Sequence, residues 1–267
     1  MNIEGKRILI TGGSSGIGFA IARAMLAKGA RVVITGRDGE RLRKAVSDLE
    51  ATGQVIGVQA DVGTADGRAL SLEKVLEVLG GLDILINNAG GVRAGRLEKT
   101  TEQEIRTMIE VDLVAPILLT QSSLPHLRAS GDGLVVNVTS GIALIGIPFY
   151  ATYAAAKAGL ARFGEALRRE LKGESVHVLT LYPGATDTPM MYSSKAGPDL
   201  GFMKEPATAV ADALISGIEA DAFDVIRGGE TRAKMIATNR ENPASLDERF
   251  LTLKPALEEA VSGHSAL

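Results

Sequence analysis

The sequence predicts a single doubly wound α/β domain built on a seven-stranded parallel sheet. Three observations carry that expectation. Short β-rich runs alternate with longer helical runs from residue 7 to residue 227 of the 267. Several of the β-rich runs are almost continuously apolar, the mark of parallel strands covered on both faces. A glycine-rich turn, GGSSGIG, lies between the first such run and the first helical one, at the kind of position where these sheets bind ligands.

Strands are expected at Arg7–Thr11, Arg31–Thr35, Val55–Gln59, Leu82–Ile86, Leu134–Thr139, Val176–Tyr182 and Asp224–Arg227. The first helix, Ile17–Lys28, ends at Gly29, a natural C′ residue. Glu40–Ala51 follows. Glu102–Leu127 comes next, opened by a Thr101/Glu104 capping box, with Pro116 and Pro125 predicting a kink or early end. An alanine-rich helix covers residues 151–171. After Gly229 the chain turns charged and helical, with helices around Ala233–Arg240 and Leu246–Val261. We therefore expect one α/β domain over 1–230 with a lid near 189–204, and a helical extension of it over 231–267. No linker or internal repeat is visible.

Composition narrows the function. Apolar residues make up 45% and charged residues 23%, enough for a sizeable core. The net charge of −3 offers no basic field for nucleic acid or anionic lipid. No cysteine is present, so disulfides, thiolate nucleophiles and cysteine-based zinc sites are excluded. His126, His177 and His264 are scattered, and no metal is expected. The uncharged stretch from Gly133 to Ala156 is long enough to span a bilayer, but its polar residues, glycines and Pro148 break it into strand, loop and helix patterns. With strand-forming sequence close to the N-terminus, a cytoplasmic protein with no membrane partner is the expectation.

Two constellations carry chemistry. Gly12, Gly16 and Gly18 follow the first strand and open the first helix, so backbone can approach a pyrophosphate at a helix N-terminus. The second strand ends in Gly36, where an acidic residue would bind an NAD ribose, and Arg37 follows. A guanidinium can pair with a 2′-phosphate, which favours NADP(H) over NAD(H); the other reading gives the ribose to Asp38. In the second constellation, Tyr153 and Lys157 share a helix face at i and i+4. A nearby ammonium favours the phenolate and lowers the tyrosine pKa, making a general acid/base.

In order along the chain stand TGGSSGIG (Thr11–Gly18), DV (Asp61–Val62), NNAG (Asn87–Gly90), NVTS (Asn137–Ser140), YAAAK (Tyr153–Lys157) and YPGATDT (Tyr182–Thr188). By these motifs, over roughly residues 5–230, the chain resembles the short-chain dehydrogenase/reductase family. The resemblance implies hydride transfer between NADP(H) and a carbonyl or secondary alcohol. Tyr153 would move the proton, Lys157 would lower its pKa and hold the nicotinamide ribose, and Ser140 would polarise the carbonyl. Gly12, Ser14, Ser15, Gly16, Ile17 and Gly18 would hold the cofactor phosphates, with Arg37 at the ribose. Asp61 and Val62 would meet the adenine, and Asn88, Ala89 and Gly90 would line the cleft. Pro183, Gly184, Thr186 and Thr188 would bracket the nicotinamide. One position departs from the family pattern: the stretch EVDLVAP places Asp112 where an asparagine usually holds a relay water. Asp112 is expected to act as acceptor in that relay, and its charge would oppose phenolate formation.

Specificity is expected from the loops after Gly90, Ser140 and Thr188. Ile142 and Met190 belong to an apolar substrate pocket; Arg93 and Arg96 are read as solvated, the other reading being contact with an acidic substrate. A small, apolar carbonyl or alcohol and a homodimer or homotetramer are the partners implied. The alternative is a nucleotide-binding regulator with little turnover, against which the intact Ser140, Tyr153 and Lys157 argue. A sugar-nucleotide epimerase or dehydratase would need a larger C-terminal domain.

Overall fold

The computed structural model describes residues 1–267. Its strands are β1 (Arg7–Ile10), β2 (Arg31–Gly36), β3 (Val55–Gln59), β4 (Ile84–Asn87), β5 (Val92–Arg93), β6 (Gly133–Val138), β7 (Val176–Tyr182), β8 (Thr186–Asp187), β9 (Glu205–Pro206), β10 (Asp224–Ile226) and β11 (Ser265–Ala266). Its helices are α1 (Gly16–Ala27), α2 (Gly39–Glu50), α3 (Ala65–Leu79), α4 (Glu102–Ile109), α5 (Ala115–Ala129), α6 (Ala151–Glu170), α7 (Ala207–Glu219), α8 (Gly229–Glu241) and α9 (Pro243–Val261).

Seven strands form one parallel sheet in the order β10-β7-β6-β4-β1-β2-β3. The chain winds outward from β1 to β3, returns to β4 beside β1, and then winds the other way. Side chains alternate across each strand, so β1 sends Ile8 and Ile10 into one core and Leu9 into the other. The first core lies under α1 and α7, and the second under α3, α5 and α6. Both faces are therefore apolar, which is why these strands read as continuous hydrophobic runs. A third, smaller core joins Val92, Met108, Tyr150, Tyr153, Phe202, Leu257 and Val261, and draws the C-terminal helices onto the domain.

Two elements differ from expectation. The long helix over 102–127 is broken into α4, a wider π-helical turn over Glu110–Val114, and α5. Pro116 explains the break, because it has no N–H to give the carbonyl of Asp112 four residues earlier. Pro125, by contrast, sits inside α5, which continues to Ala129. In the tail, α8 begins at Gly229, so the expected boundary at 230/231 cuts a helix rather than a junction. The uncharged stretch from Gly133 to Ala156 becomes β6, a 3-10 turn and the start of α6, and no helix is long and apolar enough to cross a membrane.

At the end of the sheet away from the site, Arg7 grips Asp83. Its Nε and Nη2 lie 2.8 and 2.9 Å from the two carboxylate oxygens, and the Arg7 N–H donates to the same group at 2.7 Å. Burial pushes the Asp83 carboxyl up, but the bonds from Arg7 outweigh it and hold the pKa below the usual carboxylate range. A lowered carboxylate pKa contributes stability above the unfolded value and loses it as pH falls through the folded one. Asp83→Ala is expected to lower the unfolding free energy by about 2 kcal/mol at neutral pH. Urea denaturation should show that difference shrinking in acid.

Candidate active site

The reversal of winding between β1 and β4 opens a crevice at the carboxyl ends of the strands. The glycine loop crosses it. Gly12 and Gly16 take φ of +66° and +56°, a region that favours glycine. Gly18 is held by close approach: a Cβ there would lie 2.4 Å from both the Gly12 carbonyl oxygen and the Asn88 amide nitrogen. Ser15 is the N-cap of α1, yet its side chain makes no capping bond, so the first N–H groups of that helix have no side-chain acceptor. That end suits an anion. Thr188 rests against Gly16, and Ile17 lines the main cavity beyond.

Asn88 is placed differently from its expectation. Its Nδ2 donates to the carbonyls of Thr11 and Gly12 at 2.9 and 3.1 Å. It braces the glycine loop instead of facing the cleft.

Gly12, Gly36, Arg37, Asp61, Val62, Ala89 and Gly90 line a cleft of about 60 Å³ beside this loop. Ser14 fills the space that a side chain at Gly36 would take, with its Oγ 2.9 Å from a hypothetical Cβ. Arg37 is exposed and makes no ion pair. The Asp38 carboxylate is already engaged as the N-cap of α2, accepting from the N–H groups of Glu40 and Arg41 at 3.0 Å each. Those bonds hold its pKa below the usual range. Asp61 accepts from Gly63 at 2.9 Å, so it shapes the turn as well as lining the cleft.

Around the corner, Ser140, Tyr153, Lys157 and Asp112 come together from β6, α6 and the π-helical turn. Asp112 is wholly buried, Lys157 is 4% exposed and Tyr153 is 8% exposed. The Lys157 ammonium lies 3.0 Å from Asp112 Oδ1 and donates to the Val138 carbonyl at 3.1 Å. The Gly91 N–H donates to both Asp112 oxygens at 3.3 Å. Asp112 is therefore a direct partner of the lysine. Ser140 Oγ accepts the Ile142 N–H at 3.3 Å, leaving its own hydrogen available.

Burial would lower the Lys157 pKa, but the attraction of Asp112 outweighs it and holds the lysine charged. Burial raises the Asp112 carboxyl, against the pull of Lys157 and Gly91. Lys157 lies 5.8 Å from the Tyr153 ring centre and lowers its pKa, as does Ser140. Burial, helped by Asp112, overcomes both, so the net direction is upward. The expected lowering is thus present as a contribution but does not prevail.

Ser140 and Tyr153 line a cavity of about 620 Å³ together with Ile17, Gly184, Thr186 and Thr188. Pro183 also lines it and accepts the Gly141 N–H at 2.7 Å. Ile142 and Met190 contribute apolar wall, as do Met191, Leu200 and Phe202. The segment over 189–204 is tied down: β8 pairs with β9 across its ends, Lys195 N donates to Ala260 O at 2.9 Å, and Ser193 Oγ lies 2.9 Å from His264 Nδ1. The tail covers this chain's own site, with β11 pairing antiparallel to β5. Arg93 and Arg96 pair with Glu104 and Glu258, so neither is a free cation over the cavity.

Tyr150, Arg232 and His264 also line the cavity and were not singled out from sequence. Tyr150 has alanine at its i+4 position, where Tyr153 has Lys157. Arg232 and His264 have no local motif, since only the tail's path brings them in.

The sequence matches the family model described as short chain dehydrogenase over residues 6–199. It is 31% identical over 256 residues to the ketoacyl reductase HetN of Nostoc sp., covering 93% of this chain and 89% of that one. It is 33% identical, with a TM-score of 0.77, to a short chain dehydrogenase from Burkholderia cenocepacia solved in complex with NADP, covering 85% of this chain and 99% of that one. A 3-ketoacyl-(acyl-carrier-protein) reductase from Brucella melitensis, complexed with NADH, superposes with a TM-score of 0.78 at 27% identity, over 85% of this chain and 98% of that one.

Asp112→Asn removes a negative charge and leaves Tyr153 as the remaining anionic partner of Lys157. The Tyr153 phenolate is then expected to form at lower pH than in the wild-type protein. Ultraviolet phenolate absorbance across a pH titration measures this, each protein being referenced to the same background carrying Tyr153→Phe. An unchanged or upward titration would show that Asp112 does not govern the tyrosine.

Proposed function

The chain belongs to the short chain dehydrogenase family, and from that premise we propose that it is an NADP(H)-dependent oxidoreductase of carbonyl and secondary alcohol substrates. One observation carries the reading: Ser140 and Tyr153 open into the same cavity as Ile17 and Thr188, which stand at the glycine loop. A nucleotide with its phosphates at the N-terminus of α1 would reach the tyrosine within one continuous space. Bound there, the nicotinamide supplies the hydride.

The chain's own residues handle the proton. In reduction, Tyr153 starts protonated, the state that its raised pKa favours, and donates its phenolic hydrogen to the substrate oxygen. The free hydrogen of Ser140 bonds the same oxygen. Lys157 has three donors. Two are held by Val138 and Asp112, which leaves the third to stabilise the phenolate that forms on Tyr153. Asp112 acts by keeping that ammonium charged and in place.

The preference for NADP(H) rests on Arg37. It is unpaired beside the cleft, Gly36 offers no acidic group, and Asp38 is occupied at the start of α2. The apolar walls favour a substrate with a hydrocarbon body.

Two outcomes test the reading. Tyr153→Phe is expected to lower turnover of a ketone panel by about 10²–10⁴-fold while keeping NADPH affinity. Wild-type protein that binds NADPH yet turns over no ketone or aldehyde would favour a regulatory role. Arg37→Ala is expected to weaken NADPH binding by about tenfold or more and leave NADH binding unchanged, as read by cofactor fluorescence. Equal weakening of both nucleotides would remove the 2′-phosphate assignment.

A further inference from the structure

In the main cavity a cation lacks a partner. The Arg232 side chain enters from the first turn of α8, and its Nη1 is buried with no hydrogen-bond acceptor. A buried donor left unpaired loses its hydration with no bond in return, and the loss is larger for a charged group. Guanidinium stays protonated in proteins, and burial pulls its pKa down without a carboxylate to offset it.

The fold makes room for this group. A Cβ at Gly141 would lie 2.7 Å from the guanidinium carbon and 2.8 Å from Nη1. A Cβ at Gly228 would lie 2.9 Å from the Cβ of Arg232. The guanidinium thus lies flat against the residue that follows Ser140, close to where a reacting carbonyl would be held. The wall around it is deficient in acid. Its cations are Lys204, Arg227, Arg232 and Arg249, and its single carboxylate, Glu205, is taken by Arg227 at 2.6 Å. His264 and the phenols of Tyr150 and Tyr153 complete the titratable groups there and add no negative charge at neutral pH, since the tyrosines are raised.

We infer that Arg232 is the anchor for an anionic group on the substrate, and that the enzyme acts on carbonyl or hydroxy compounds carrying a carboxylate on an apolar chain. This rests on the oxidoreductase reading and sharpens it: the hydrocarbon body lies along Ile142, Met190 and Phe202, and the charged end meets the guanidinium. A carboxylate there supplies the missing acceptor as a fork-to-fork pair.

The test separates binding from turnover. Hexanoate and hexanamide, neither of them reducible at a ketone, are titrated by calorimetry into the wild-type NADPH complex and into Arg232→Gln. Hexanoate is expected to bind at least tenfold more tightly than hexanamide to wild type, and equally weakly to the variant, with NADPH affinity unchanged. In kinetics, Arg232→Gln should raise KM for a keto acid by tenfold or more, leave KM for the matching neutral ketone unaltered, and be partly rescued by Arg232→Lys. Equal binding of acid and amide to the wild-type complex overturns the inference, whether or not the variant folds. So does a loss of NADPH affinity in Arg232→Gln without any preference for the acid, which would place the guanidinium on the cofactor. If no ketone is turned over, the oxidoreductase reading fails, and the hexanoate comparison still decides the role of Arg232.

Discussion

A buried lysine ammonium and a buried aspartate carboxylate meet 3.0 Å apart at the centre of the site. Burying two charges costs free energy unless geometry and extra hydrogen bonds offset the lost hydration. Here they do: the carboxylate also accepts from Gly91, and the ammonium also donates to Val138. Much of the local structure answers to this pair. The π-helical turn before Pro116 carries Asp112 to where it meets Lys157. Gly90 must lack a side chain, because a Cβ there would lie 2.4 Å from Asp112 Oδ1 and 3.2 Å from Lys157 Nζ. Tyr153 feels both charges and stands between them in effect, lowered by one and raised by the other.

The sheet supplies the frame on which this is hung. Ser140 follows β6 and the glycine loop follows β1, so their relative placement is set by parallel pairing through β4 between strands packed on both faces, while Thr188 follows β8, which pairs with β9 in a separate two-stranded sheet. Asn88 adds a second layer of control, since its amide fixes the carbonyls of the loop from behind. A nucleotide would meet backbone already held in shape.

The tail changes what the cavity is. Without α8, α9 and β11 the crevice would be open above Tyr153. With them, β11 joins β5, α9 holds the segment over 189–204, and Arg232 brings a guanidinium with a buried, unpaired nitrogen into the cavity wall. The cavity wall is therefore built from residues far apart in the chain, while Ser140, Tyr153 and Lys157 come from the end of β6 and from α6.

The sequence by itself determined the sheet, the glycine loop and the Tyr153/Lys157 pair. These depend on local periodicity: apolar runs, a Gly-rich turn at a strand end, and the i, i+4 spacing of one helix. It also marked Asp112 as unusual and Pro116 as a break. Tertiary structure alone decided what those features meant. Asp112 became an ion-pair partner only when the π-helical turn met α6, and the direction of the Tyr153 pKa followed from burial that no spacing reveals. The sequence favoured Arg37 over Asp38 at the ribose, and only the fold shows the Asp38 carboxylate already engaged in capping α2. Arg232 was silent, because a single arginine in a charged helix carries no pattern. Its meaning comes from desolvation and from the two glycines that clear its path, and both exist only once the chain has folded back over its own site.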